Sequence, residues 1–259
     1  MKTLISALVM AASFTTVNAS ERPSRPTIVL VHGAFADTSS WSGVTRILQK
    51  DGYRVVAVAV PLRSVRGDAR YVADLVASYD APVVLVGHSY GGSVISAAGV
   101  DSPNAKALVY VAAFAPDEGE TAVELSNRFP GSTLGPALAA PVPLTNGDKD
   151  LYIEQEKFWA QFAADVPAAD AAVMAATQRP VAESTLNEKS GAPAWRVLPS
   201  WFVYGDRDLN IPLKSLVFMA DRANAMEIRT VKGASHVVMV SHPREVAAVI
   251  KHAANAVTN

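Results

Sequence analysis

The sequence predicts an α/β protein with a doubly wound, mostly parallel sheet and a helical cap insertion. Two observations predict this class. From residue 27 to residue 113, short apolar runs rich in Val, Ile and Leu alternate with stretches whose apolar residues recur at helical spacing. The alternation stops after Phe114 and resumes at Ser200. We therefore expect one domain over residues 20–259, with parallel strands joined by right-handed crossovers and a cap over about 115–199.

The elements of the core are assigned in chain order from these two patterns. Strands are placed on uninterrupted apolar runs, and helices are placed where apolar residues lie three and four positions apart, as Val72, Leu75 and Val76 do. Pro243 suits the first turn of the closing helix. The predicted elements are strands over 27–31, 54–60, 83–86, 107–113, 200–204 and 226–231, and helices over 41–50, 68–79, 93–99 and 243–257.

The cap is expected to consist of helical pieces without a convincing strand, because it is rich in Pro, Ala and Gly. Phe158, Trp159 and Phe162 share one face of a helix in this segment. Apolar lid faces usually line a hydrophobic pocket, so these three side chains are predicted to contact substrate, together with Phe35. The alternative is a set of ordinary surface helices whose aromatic face lies on the core.

The most informative motif is Gly87-His88-Ser89-Tyr90-Gly91, which follows an apolar run and precedes a helix of small residues. This G-x-S-x-G pattern between a strand and a helix is typical of a nucleophile elbow. The glycines lack Cβ atoms and let strand and helix approach closely. The helix N-terminus favours negative charge beside the serine. The motif therefore predicts Ser89 as a nucleophile.

A nucleophilic serine needs a base within hydrogen-bond reach, and five histidines are available. His236 follows the last predicted strand, and parallel sheets build their sites at the carboxyl ends of strands. His252 lies in the closing helix, His242 precedes that helix, and His32 ends the first strand. His88 lies inside the elbow, where it points the wrong way for an attacking base. His236 is therefore the predicted base.

Two aspartates that follow the strand over 200–204 compete to orient this base. Asp206 lies in the tight turn at Gly205, where aspartate commonly binds backbone groups. Asp208 lies directly before the segment that leads into the next helix. We favour Asp208 on these positions, with Asp206 as the alternative. The chain order is then Ser89, Asp208, His236, which is one of the known triad orders.

An oxyanion site requires two backbone N–H donors. One is expected from Tyr90, the residue after the nucleophile. The other is expected from the loop after the first strand, where Gly33 permits a close turn. Ala34 is the favoured donor in this loop, and Phe35 is the alternative.

Composition excludes several classes of function. The formal net charge of −1 gives no sign of a basic nucleic-acid-binding face or a polybasic membrane patch, and the absence of cysteine excludes disulfides, thiolate catalysis and cysteine-ligated zinc. No carboxylate cluster has metal-ligand spacing, and no phosphate-binding or dinucleotide motif is complete, so neither a metal nor another cofactor is expected. Residues 1–19 have the positive start, apolar centre and small terminal residues of a secretory signal peptide, which predicts an exported protein.

Taken together, these motifs resemble the α/β-hydrolase superfamily, in particular small bacterial esterase-like hydrolases and, more distantly, plant methyl esterases and hydroxynitrile lyases. Hydroxynitrile lyases of this group carry threonine and lysine at the positions of Ala34 and Val237, which argues against that chemistry. The motifs that carry the resemblance are His32-Gly-Ala-Phe35 with Trp41, Gly87-His88-Ser89-Tyr90-Gly91, Gly205-x-x-Asp208 and Ser235-His236.

The resemblance implies a hydrolase that cleaves a small-molecule carboxylic ester through an acyl-enzyme on Ser89, as a monomer or a weak homo-oligomer. Two alternatives stay open. The same triad serves lactone hydrolysis, carbon–carbon bond hydrolysis or perhydrolysis in other members of such folds. The fold also supports a non-catalytic small-molecule-binding protein.

Overall fold

A computed structural model describes residues 25–258 of the chain, so the predicted signal segment over 1–19 lies outside the described residues. The strands are β1 Thr27–Val31, β2 Val55–Val58, β3 Val83–His88, β4 Ala105–Val111, β5 Val142–Pro143, β6 Lys149–Leu151, β7 Val181–Ala182, β8 Ser200–Gly205 and β9 Glu227–Val231. The helices are α1 Ser42–Lys50, α2 Val65–Ala77, α3 Tyr90–Ala98, α4 Ala122–Asn127, α5 Leu134–Ala137, α6 Gln155–Phe162, α7 Ala168–Thr177, α8 Glu183–Leu186, α9 Leu213–Arg222, α10 Val238–Ser241 and α11 Pro243–Ala256.

Six strands form one sheet in the order β2-β1-β3-β4-β8-β9, and every neighbouring pair is parallel. Every residue of β1 and β3 is buried, as expected for central strands covered on both faces. The helices flank the sheet, where α1 packs against α11 and α2 packs against α3. The predicted α/β class and parallel sheet are thereby confirmed. Within residues 25–258, no helix is long and apolar enough to cross a membrane.

Helix α2 begins at Val65, three residues before the predicted start. The Ser64 hydroxyl caps it by accepting a hydrogen bond from the Gly67 N–H at 3.1 Å. Glu188 lies in the segment between β4 and β8, which we call the insertion. Its carboxylate accepts hydrogen bonds from the N–H groups of Val65 at 2.6 Å and Arg66 at 3.1 Å. A distant carboxylate thus satisfies donors that a helix start leaves free, which the local pattern could not indicate.

The segment between β4 and β8 contains helices α4 to α8 and also three short strands. The expectation of no strand in this segment is wrong, because β5, β6 and β7 form a small antiparallel sheet. Each strand has only two or three residues, too few for an alternating pattern to emerge from the sequence. Tertiary contacts fix them: the Ala182 N–H donates to the Leu62 carbonyl at 3.1 Å, and Asp150 pairs with Arg63.

Candidate active site

Ser89 lies at the turn between β3 and α3, in a left-handed conformation with φ 52° and ψ −120°. The Ser89 N–H donates to the Val111 carbonyl at 3.2 Å, and the Ser89 carbonyl accepts from Phe114 N–H at 3.1 Å. A Cβ atom at Gly87 would collide with the Gly91 carbonyl, and one at Gly91 would collide with the Val31 carbonyl. The two glycines therefore let β3, α3 and β1 meet closely enough to hold the strained turn.

His236 and Asp208 form a buried pair. The His236 Nδ1 atom lies 2.6 Å from Asp208 Oδ2, and both side chains are almost fully buried. The other oxygen, Asp208 Oδ1, accepts the N–H groups of Asn210 at 2.8 Å and Ile211 at 2.9 Å. Because a carboxylate only accepts, Nδ1 carries the proton and the Nε2 atom of the ring is left to accept one. Of the two candidate aspartates, the structure brings Asp208 to His236.

Asp206 has a different partner. Its Oδ1 atom accepts the Gly233 N–H at 2.6 Å, which ties the turn after β8 to the turn after β9. The local hydrogen bond expected for Asp206 is therefore replaced by one to a neighbouring loop. Asp206 supports the segment that carries His236 without touching its ring.

The loop after β1 and the start of α3 supply the candidate oxyanion donors. The Phe35 N–H donates to the Arg179 carbonyl at 3.1 Å, so this amide is already engaged. Within residues 25–258, the N–H groups of Ala34 and Tyr90 have no hydrogen-bond acceptor in the protein. The structure therefore leaves the two favoured donors open and engages the alternative.

A cavity of about 320 Å³ lies between the core and the insertion, with Ser89 and His236 in its wall. Among the described lining residues, Glu183 is the only Asp, Glu, Lys or Arg, and it pairs with Lys149 at 3.0 Å outside the lining. The lining residues are Ala34, Phe35, Ser89, Tyr90, Phe114, Ala122, Val123, Ser126, Asn127, Ser132, Leu134, Gly135, Leu138, Leu151, Phe162, Glu183, Leu186, Asn187, Asn210, Ile211 and His236.

The predicted aromatic contacts divide into two groups. Phe35 and Phe162 line the cavity, and their rings meet edge to face with centroids 6.3 Å apart. Phe158 and Trp159 lie outside the cavity, contrary to expectation. Phe158 packs behind Phe162 at 4.9 Å, and Trp159 is 48% exposed while its indole N–H donates to the Val166 carbonyl at 3.0 Å. The helix therefore presents one aromatic ring, not three, to the cavity.

His88 has a contact that the sequence did not indicate. Its Nε2 atom lies 3.2 Å from the His236 carbonyl, and the two ring centroids are 4.8 Å apart. Since a carbonyl only accepts, the proton of His88 is on Nε2. Burial, assisted by the neighbouring His236, holds the pKa of His88 well below its ordinary value. His88 is thus a neutral donor that fixes the backbone of the candidate base.

The remaining histidines lie away from this arrangement. His242 directly precedes α11, and His252, which is exposed, lies 2.7 Å from Glu227. His32 lies buried at the end of β1, where burial lowers its pKa. Among the side chains of residues 25–258, no group of three His, Asp or Glu is arranged to hold a metal ion.

Comparison with known proteins agrees with this architecture. The chain is similar to an alpha-hydroxynitrile lyase of Arabidopsis thaliana, with 25% identity over 84% of this chain and 92% of the relative. It is also similar to the alpha/beta hydrolase nvfD of Aspergillus novofumigatus, with 29% identity over 89% of this chain and 97% of the relative.

The crystal structure of polyneuridine aldehyde esterase shares the fold, with a TM-score of 0.77 at 18% identity over 88% of this chain and 99% of that chain. The model of the alpha/beta hydrolase family matches residues 28–249, which include the elbow, both candidate aspartates and His236. The chain therefore belongs to the alpha/beta hydrolase family.

Proposed function

We propose that this hydrolase cleaves carboxylic esters through an acyl-enzyme on Ser89. The observation that carries the proposal is that a serine on a strained elbow and a histidine line the same cavity, and that the histidine Nδ1 atom lies 2.6 Å from a buried aspartate. That combination supplies a nucleophile, a base and a group that orients the base. The open amides of Ala34 and Tyr90 add donors for a developing oxyanion.

The chemical steps follow from these roles. His236 Nε2 takes the Ser89 proton while the serine oxygen attacks the ester carbonyl. The Ala34 and Tyr90 N–H groups receive the negative oxygen, and Asp208 stabilises the imidazolium. His236 then returns the proton to the departing alcohol, and the same cycle with water releases the carboxylic acid.

The resting geometry is looser than this reaction requires. Within residues 25–258, the Ser89 hydroxyl makes no hydrogen bond to His236. Such contacts commonly tighten only when substrate is bound, so the arrangement is compatible with triad chemistry. We expect a ligand carbonyl held at the oxyanion donors to draw the two side chains together.

Cleavage of cyanohydrins fits the cavity less well. Cyanide leaves as an anion, and a positive side chain beside the reacting atoms would stabilise it. No lysine or arginine is among the described lining residues, and the position after His236 is the buried Val237. Lactone hydrolysis, carbon–carbon bond hydrolysis and perhydrolysis would use the same residues. Assays with different substrates are needed to distinguish these reactions from ester cleavage.

The test combines covalent labelling with turnover. We expect a fluorophosphonate probe to label the wild-type protein and Ser126→Ala, since Ser126 lines the same cavity but binds the Asn210 carbonyl at 2.8 Å. Ser89→Ala should fold normally, lose labelling and lose kcat on the order of 10⁶-fold. A panel of chromogenic esters and lactones then identifies the bond cleaved. Labelling of Ser89→Ala at the wild-type level would refute the nucleophile, and a wild-type protein without labelling would favour a binding protein.

A further inference from the structure

A buried carboxylate lies behind the candidate oxyanion site and has no role in the steps above. The Tyr90 hydroxyl donates to Asp68 Oδ2 at 2.9 Å, and the Leu62 N–H donates to the same oxygen at 3.0 Å. Asp68 is 2% exposed and Tyr90 is fully buried. Among residues 25–258, Asp68 has no Lys, Arg or His within ion-pair distance. Burial accordingly raises the pKa of Asp68 above its usual value.

This polar pair is costly to bury. A phenol and a carboxylate both lose hydration in the core, and an apolar pair of similar volume would pack there without that loss. The pair fixes the orientation of the Tyr90 ring, because a hydrogen bond to a carboxylate is stronger and more dependent on geometry than an apolar contact. The side chain that it holds belongs to Tyr90, whose backbone N–H is one of the two open donors.

The same carboxylate is connected to the insertion through the loop after β2. Leu62 has a left-handed φ of 63°. Its N–H donates to Asp68, and its carbonyl accepts a hydrogen bond from the Ala182 N–H at 3.1 Å. Ala182 directly precedes Glu183 in the cavity wall. Glu188, further along the insertion, caps the helix that carries Asp68. A continuous set of hydrogen bonds therefore runs from the insertion to the side chain of Tyr90.

We propose that Asp68 is a positioning residue of the oxyanion site, which it serves by fixing Tyr90 and by joining Tyr90 to the docked insertion. The proposal rests on the proposed function, because it assigns the Tyr90 N–H to the reaction. At its carbonyl end, the Ser89–Tyr90 peptide is held by Gly92 and Phe114 N–H groups at 2.9 and 3.1 Å. At the other end, the anchored phenol ring holds the Tyr90 α-carbon. Loss of that anchor lets the N–H swing away from the developing charge.

Tyr90→Phe is the primary test, since it removes one oxygen and leaves the ring in place. We expect kcat to fall about tenfold or more with KM nearly unchanged, because the contact matters when charge develops. A boronic acid, which forms a tetrahedral adduct with Ser89, should bind more weakly by a similar factor. Tyr110→Phe is the matched control: Tyr110 is also fully buried and its hydroxyl pairs with Ser96 at 2.8 Å, but it does not line the cavity. It should leave kcat and boronate affinity unchanged.

A pair of substitutions at position 68 tests the acceptor itself. Asp68→Asn keeps an oxygen where both donors converge and should retain kcat within about threefold. Asp68→Ala should reproduce the loss seen in Tyr90→Phe, and the double variant should lose no more than either single variant, because both remove one interaction. Should Asp68→Ala fail to fold, the comparison of Tyr90→Phe with Tyr110→Phe decides alone.

The outcomes separate this proposal from the proposed function. Equal kcat and boronate affinity in Tyr90→Phe and Tyr110→Phe would overturn the role of Asp68 while leaving the triad in place. A wild-type protein that neither turns over esters nor binds the boronic acid would overturn the proposed function, and the positioning role with it. A fall in stability without a change in kcat or boronate affinity would reduce the pair to a structural contact and would also reject the proposal.

Discussion

Asp206 and Asp208 lie two positions apart in one loop, yet their carboxylates have different hydrogen-bond partners, and we expect different roles for them. The Asp208 carboxylate contacts the His236 ring, whereas the Asp206 carboxylate accepts a hydrogen bond from the Gly233 N–H. We expect Asp208→Asn to lower kcat on the order of 10⁴-fold, because the amide favours the wrong histidine tautomer. Asp206→Asn should keep kcat within about threefold and lower the free energy of unfolding by about 1 kcal/mol. Steady-state kinetics and urea denaturation of both variants check this, and a reversed pattern would make Asp206 the orienting acid.

His88 predicts a pH dependence of stability. Its pKa in the folded protein lies well below the unfolded value because of burial. Below the unfolded pKa of about 6.5, the unfolded chain therefore binds a proton that the folded protein does not, and stability falls as the pH falls. The slope from this one group approaches but does not exceed about 1.4 kcal/mol per pH unit.

His88→Gln isolates this contribution, since a glutamine amide still donates to the His236 carbonyl but does not titrate. We expect the free energy of unfolding of the wild type, measured in urea at pH 7, 6 and 5, to fall more steeply than that of His88→Gln. Parallel curves for the two proteins would show that His88 takes up its proton equally in both states. His32, whose pKa is also lowered by burial, is present in both proteins.

Single residues were predictable where chain order and strand ends specify them. Ser89 follows from its motif, and Asp208 and His236 follow from their places after consecutive strands of the sheet. The contacts of His88 with His236, which are 148 positions apart, and of Tyr90 with Asp68 depend on how separate elements pack. Neither contact has a periodic or local signature, so neither could be read from one sequence.

The elbow is an element whose sequence requirement is steric. A Cβ atom at Gly91 would meet the backbone of β1, which cannot move without disturbing the centre of the sheet. We expect Gly91→Ala to lower the free energy of unfolding by about 3 kcal/mol or more, at the upper end for overpacked sites. Gly191→Ala is the matched control, because no atom lies within 4 Å of a Cβ built there. Thermal or urea unfolding compares the two, and equal stability would mean that the elbow relaxes around the added methyl group.

Elements of the sheet were easier to predict than those of the insertion. The long apolar runs of β1 and β3 are buried on both faces, so these strands could be predicted without knowledge of the turns that connect them. The strands of the insertion are too short for periodicity, and tertiary hydrogen bonds hold them. The aromatic face of α6 could be predicted, but the rotation of the helix about its axis could not, so the prediction placed three rings in the cavity wall where the structure places one, Phe162.

At the scale of the whole molecule, the cavity is enclosed by two parts of the chain with different roles. The sheet contributes Ser89, His236 and the open amides, whereas the insertion contributes most of the apolar wall. Under the proposed function, chemistry and selectivity are separated along the sequence. Changes in the wall should alter which ester is preferred while the dependence of the reaction on Ser89 persists.

The cavity wall predicts preference for neutral apolar esters. Aliphatic and aromatic side chains make up much of the wall, and Glu183 is the acidic residue in it, which disfavours an anionic acyl group. Each methylene buried in the wall should raise kcat/KM by up to about fourfold, equivalent to about 0.8 kcal/mol, until the cavity of about 320 Å³ is filled. Measuring kcat/KM for acetyl to octanoyl esters of one alcohol tests this, and a flat profile or a preference for a charged acyl group would contradict it.

The matched variants Phe162→Leu and Phe158→Leu locate that preference in the molecule. Both phenylalanines are fully buried in the same helix, but only Phe162 lines the cavity. Removing ring volume at Phe162 should move the optimum toward longer acyl chains, because it deepens the space that the chain occupies. The same change at Phe158 should lower stability by about 1–3 kcal/mol and leave the optimum unchanged, because it enlarges no space open to substrate. An equal shift of the optimum in both variants would mean that the insertion repacks as a unit, and the wall would then be set by the whole segment.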